Sequence, residues 1–152
     1  MYSTLITLHS LFRWLVLVTL LISIYRAWKG MTTGAVFSRT DNAFRHWTAT
    51  SSHIQLMIGM ILYFQSPLVD YFLKHFRIAI TSMEFTFFGM IHSLLMLVAI
   101  IVITFGSALA KRKTTDREKF KTMLYWFSIA LIILLIAIPW PFSPLANRPY
   151  FR

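Results

Sequence analysis

FTFFGMIHSLLMLVAIIVITFGSALAKRK, residues 85–113, decides the fold class. From Phe85 to Phe105 it carries no Asp, Glu, Lys or Arg, and Lys111-Arg112-Lys113 closes it. Its apolar residues run on continuously instead of alternating, which reads as a helix and not as a half-buried strand. A helix needs about 20 mostly apolar residues to cross a hydrocarbon core, and this stretch supplies them. Three further runs have the same character, at about 5–25, 48–64 and 124–140, with boundaries good to about two to four residues. The expectation is an all-α, integral membrane antiparallel four-helix bundle, with residues 1–152 forming one domain. The first run starts almost at Met1 without a basic flank, so it reads as a span and not as a signal peptide.

The composition agrees with this. Of the 152 residues 57% are hydrophobic and 13% charged, whereas a soluble domain carries roughly a quarter charged residues. A soluble chain this short could not bury so much apolar surface. The absence of cysteine excludes disulfides, thiolate zinc sites, iron–sulfur clusters and c-type haem attachment. A net charge of +10 on a soluble protein would suggest nucleic acid. Here the basic residues cluster between apolar runs, so they are read as topology signals and as contacts to anionic lipid, with no nucleic-acid partner expected.

The breaks between spans are marked by residues that stop helices. Lys29-Gly30 with Gly34 ends the first, Ser66-Pro67 the second, and Pro139 and Pro141 the fourth. Residues 141–152 form a Pro-rich tail without periodicity. Ten Lys and Arg lie in the first and third loops: Arg26, Lys29, Arg39, Arg45, Lys111, Arg112, Lys113, Arg117, Lys119 and Lys121. Lys74, Arg77, Arg148 and Arg152 lie on the opposite side. The bias puts both termini on the non-cytoplasmic side of the membrane, in a multi-pass protein. Trp28, Trp47, Trp126 and Trp140 suit interfacial anchors, and Trp14 lies too deep for that role.

Ionisable groups inside a bilayer are costly and each needs a reason. His9, His53 and His92 fall within spans, and Arg13 lies one helical turn beyond His9 on the same face. The first and third spans run in one direction, which places His9 and His92 at a shared level, roughly 8–10 Å in at 1.5 Å per residue. Two imidazoles at one depth on diagonal helices suit a bis-histidine haem, and interhelical hydrogen bonding is the plainer reading. Arg13 suits a haem propionate, or else Glu84, Asp70 or a lipid phosphate. His53 shares a face with His46, Met57 and Met60, which suits a second metal or haem site or a hydrogen-bonded core histidine. Gly89 and Ala99, on the face of His92, leave room for a cofactor, while Gly59 and Gly106 serve equally as close helix contacts.

Leu8-His9-Ser10 with Phe12-Arg13-Trp14 carries a resemblance, as does His53-Ile54-Gln55-Leu56 with Gly59 and Leu62-Tyr63-Phe64. His92 with Met96, Ala99-Ile100, Ile103-Thr104-Phe105-Gly106 and the closing Ile138-Pro139-Trp140-Pro141 continues it. Together these resemble small four-helix bacterial membrane proteins labelled cytochrome b, over nearly the whole chain. A looser similarity is to one four-helix half of haem A synthase, where a His followed closely by Arg, and a His two helices on, hold a b-type haem. The resemblance implies haem b held by His9 and His92, with Arg13 as propionate partner. Arg13 stands four residues after His9 instead of beside it, Ile91 stands where the pattern has an acid, and the second half is missing, so haem A synthesis is not implied.

The expected function is one-electron transfer by a subunit of a larger respiratory or quinone-linked complex, with the lipid bilayer, partner membrane proteins and quinone as partners. The alternative is a haem-free accessory subunit of a large inner-membrane complex, respiratory or secretory. A proton conduit using the three histidines ranks behind both, since no acid lies within a span. There is no Ser/His/Asp set, paired carboxylate or Gly-rich phosphate loop to mark a stand-alone enzyme.

Overall fold

In a computed structural model, which describes residues 2–146, 148 and 149, the chain is helical and shows no strand among those residues. The long helices are α1 (Tyr2–Thr33), α2 (Arg39–Gln65), α6 (His92–Arg112) and α7 (Asp116–Ala137). Between α2 and α6 lie three short helices, α3 (Pro67–Lys74), α4 (Phe76–Ala79) and α5 (Met83–Thr86), and a π-helical turn, Phe87–Ile91.

Three helices are long and apolar enough to cross a membrane: α1, the run Met83–Arg112, and α7. The second span differs from its expectation. Helix α2 reaches that standard only together with α3, to which it is joined at a 61° bend. The reason is its polar first half, where Arg39, Asp41, Asn42, Arg45, His46, Thr48, Ser51 and Ser52 precede the apolar residues. Pro67 ends α2, as expected of a residue that has no N–H to give to the previous turn. It also opens α3 from the first helical position, where that missing donor costs nothing.

The long helices bury one stripe and leave apolar side chains on the rest. In α7 the buried positions are Phe120, Met123, Phe127, Ala130, Leu134 and Ala137, a three–four spacing that keeps them on one face. Val16, Leu20 and Ala27 of α1 and Ala99, Ile103 and Ala110 of α6 meet them in a common core. Leu11, Leu15, Val18 and Leu21 of α1, and Leu94, Val98, Ile101 and Phe105 of α6, stay exposed. Helices apolar all round are those that need an apolar solvent.

The main packing pairs are α1 with α2 and α7, and α6 with α2 and α7. Small residues bring them close. A Cβ at Gly30 would stand 2.4 Å from the Phe120 ring, and one at Gly106 would stand 2.4 Å from Cβ of Trp126, so Gly106 is a close helix contact. Polar ties join α1, α2 and α6: Ser23 to Thr48 at 2.8 Å, and buried Arg45 donating to the Ser107 carbonyl and hydroxyl at 3.0 and 2.6 Å. Ser38 and Asp41 form a reciprocal capping box at the start of α2, and Arg26 of α1 pairs with Asp41 at 2.8 Å. Burial works to raise the Asp41 pKa, but the Ser38 hydrogen bonds and the Arg26 charge outweigh it and hold the carboxyl below its usual range.

Candidate functional site

A cavity of about 490 Å³ opens between α1, α2, α3 and α6, within the ~300–1,000 Å³ range of ligand clefts. His9, Arg13 and His92 all line it, and among the described residues no Asp or Glu does. The His9 and His92 rings are 6.3 Å apart between centres, with their planes at 68°. They come from α1 and α6, helices that are not one of the main packing pairs, so the two rings meet across the molecule.

His92 is aimed by two local departures from regular helix. Just before it the backbone takes one π turn, and its own N–H bonds to the Phe87 carbonyl five residues back. The extra residue in that turn shifts which face His92 occupies. An outside donor supports the turn, as Tyr63 of α2 gives its hydroxyl hydrogen to the Gly89 carbonyl at 2.9 Å. Gly89 does not leave cofactor space, contrary to the expectation. A Cβ there would stand 2.4 Å from the Phe72 ring of α3, so the glycine admits that helix.

At the end of α7 two prolines release carbonyls. Leu135 and Ala137 would ordinarily accept from residues 139 and 141, but Pro139 and Pro141 have no N–H. Trp140 Nε1 donates to the Leu135 carbonyl at 2.9 Å, and His92 Nδ1 donates to the Ala137 carbonyl at 2.8 Å. A carbonyl can only accept, so the His92 proton sits on Nδ1 and the Nε2 lone pair is left for chemistry. The signal was present in the sequence as the spacing of the two prolines, but nothing local named His92 as the donor.

His9 lies against Gly59 of α2, where a Cβ would stand 3.3 Å from its Cε1. Gln55 of α2 donates from Nε2 to the His9 carbonyl at 2.9 Å. His9 Nδ1 and Gln55 Oε1 are buried without a hydrogen-bond partner among the described residues. Such orphaned polar atoms in an apolar setting are costly and call for a ligand or water. Arg13 donates to the Ser10 hydroxyl at 3.4 Å and lies over the Trp14 ring, 5.4 Å from its centre. The acids weighed as its partners are engaged elsewhere, Asp70 with Lys74 and Glu84 with Arg148.

His53 is placed apart from this cavity. Its side chain is exposed, not in the core, and Nε2 bonds to Thr104 of α6 at 2.9 Å. Thr104 gives its own hydrogen to the Ile100 carbonyl, so His53 is the donor of that pair. Met57 is exposed beside it. Ala99 is buried in the core and does not line the cavity. Sequence reading passed over Gln55 and Arg148, both cavity residues, since neither a glutamine in a span nor an arginine in a tail carries a spacing signal. The far end of the tail, Arg152 included, lies outside the described residues.

Comparison of the chain with family models, with curated proteins and with solved structures finds no match.

Proposed function

We propose that this chain is a membrane-embedded b-type haem protein that carries single electrons, as a subunit of a larger respiratory or quinone-linked assembly in the bacterial inner membrane. The observation that carries the reading is the 6.3 Å approach of the His9 and His92 rings beside the 490 Å³ cavity. Two imidazoles brought this close from separate helices would be the residues to hold such a group.

The donor set fits in other respects. Anchoring a ligating histidine through its second nitrogen fixes tautomer and ring orientation, and the Ala137 carbonyl does this for His92. The orphaned Nδ1 of His9 is the kind of atom an absent group or water leaves behind. Arg13, which lines the cavity, is a cation able to hold a carboxylate. When bound, haem supplies a reversible one-electron couple. The chain's part would be to hold the macrocycle through His9 and His92 and to keep water away with apolar walls. Held by two histidines, such a group would serve electron carriage.

The membrane arrangement that goes with this reading is an antiparallel four-helix bundle with both termini on the non-cytoplasmic side. The Lys and Arg bias supports it, as do the paired contacts of α1 and α6 with α2 and α7. Its resemblance to proteins labelled cytochrome b points the same way.

The test is a dithionite-reduced minus oxidised spectrum of protein purified from a haem-replete host. A b-type α band is expected, lost in His9→Ala and in His92→Ala and kept in His53→Ala. A colourless wild type overturns the reading and leaves the haem-free accessory subunit. Loss of the band in His53→Ala alone moves the ligand to His53, apart from this cavity.

A further inference from the structure

The wall that α2 gives to the cavity carries a buried acceptor and receives a buried imidazole nitrogen. Gln55 and Gly59 are four residues apart on α2 and share a face of that helix. Both line the cavity together with His9. A Cβ at Gly59 would stand 3.3 Å from Cε1 and 3.7 Å from Nδ1 of His9, so the Cε1–Nδ1 edge of the imidazole is turned to α2. Gln55 is tied to the same residue, because its Nε2 donates to the His9 carbonyl at 2.9 Å. A carbonyl can only accept, so the amide nitrogen is the end that meets it and the amide oxygen is the end left over. Among the described residues Gln55 Oε1 is the one buried side-chain oxygen without a hydrogen-bond partner, and His9 Nδ1 has none either.

A histidine that gives one nitrogen to a metal carries its proton on the other, and that N–H is ordinarily given to an acceptor that fixes the ring's orientation. For His92 the acceptor is the Ala137 carbonyl. For His9 the edge turned to α2 includes Nδ1, which leaves Nε2 as the nitrogen for the cavity and Nδ1–H as a buried donor. A buried donor left unmade is costly, and so is a buried acceptor. Both costs vanish if the two serve each other.

We propose that Gln55 is the positioning residue of His9: its amide oxygen answers the imidazole Nδ1–H through one shared water, while its amide nitrogen holds the backbone of the same residue. The two atoms do not bond directly, and a water that accepts from Nδ1–H and donates to Oε1 satisfies both. The assignment rests on the haem reading above. It gives the two imidazoles matching anchors, one on the backbone at the end of α7 and one on a side chain of α2.

The experiment uses the full chain loaded with haem. It reads the ferrous-to-ferric ratio at a fixed ambient potential, and the rate at which haem passes to an excess of a soluble scavenger. An acceptor on Nδ1–H raises the basicity of the ligating imidazole, which favours the ferric state. Gln55→Met, of similar length and without a strong acceptor, should raise the ratio by about three-fold and speed haem loss by roughly ten-fold. Gln55→Glu keeps an oxygen in place whether or not it is ionised, and its ratio should equal that of wild type or fall below it. Gln55→Asn draws the oxygen back by one methylene and should follow Gln55→Met, so it carries the test if methionine is not accommodated. A ratio that rises alike in Gln55→Glu and Gln55→Met would mean that only the tie to the His9 backbone matters, and overturns the inference. A ratio unchanged in all three variants overturns it too. A wild type that takes up no haem overturns the haem reading, and this inference with it.

Discussion

Gly59 puts the proposed haem site to the test at the scale of one methyl group. A methyl group in place of its hydrogen would stand 3.3 Å from Cε1 and 3.7 Å from Nδ1 of His9, which is tight but can be relieved by a few tenths of an ångström. Two further methyl groups would press on the imidazole or take up space in the cavity that Gly59 lines. Overpacking of this kind costs about 1–3 kcal/mol when it is absorbed by moving a side chain. Gly59→Ala is therefore expected to keep most of the macrocycle, and Gly59→Val to lose most of it while helix content stays at the wild-type level. Macrocycle absorbance per protein, read beside the circular dichroism spectrum, decides this. Full occupancy in Gly59→Val would show that His9 has no need of its present place.

The elements around His92 act together, because the π turn is held from two sides. Tyr63 of α2 bonds its carbonyl at Gly89, and Phe72 of α3 packs on the missing side chain of the same glycine. Gly89→Ala would put a Cβ 2.4 Å from Cγ and Cδ1 of Phe72, a ring only 3% exposed that cannot swing aside. The expected cost is about 1–3 kcal/mol of stability. Thermal unfolding in detergent should register it, and trimming the obstruction in a Gly89→Ala/Phe72→Leu double variant should restore part of it. If the double variant loses the sum of the two single effects, the two side chains are not in competition for that space. None of this was readable in the sequence. The uninterrupted apolar run around His92 announces a helix, but an α turn and a π turn have the same composition. Pro67 likewise marks a helix end and a helix start with the same residue, and only the structure shows the 61° bend between α2 and α3.

At the scale of the whole molecule, charge and apolarity were legible because they are sums, whereas the cavity is a product of folding. Counting residues along α1 and α6 places His9 and His92 at one depth, yet the 6.3 Å between their rings depends on packing through α2 and α7. Arg148 joins them only because the tail returns, and a Pro-rich segment without period gives no sign of where it goes. The same sums lead to the last prediction. Arg26, Lys29, Arg39 and Arg45 around the α1–α2 connection, and Lys111 to Lys121 around the α6–α7 connection, carry most of the charge of a chain at +10. A bilayer orients helices so that such loops stay in the cytoplasm. Because the protein has no cysteine, single thiols can be introduced without background. Thr114→Cys, in the α6–α7 connection, should resist a membrane-impermeant maleimide in intact spheroplasts and react once they are permeabilised. Thr81→Cys, between α4 and α5, should react in both. The reverse pattern would turn the molecule over in the membrane and put the His9–His92 cavity near the cytoplasmic face.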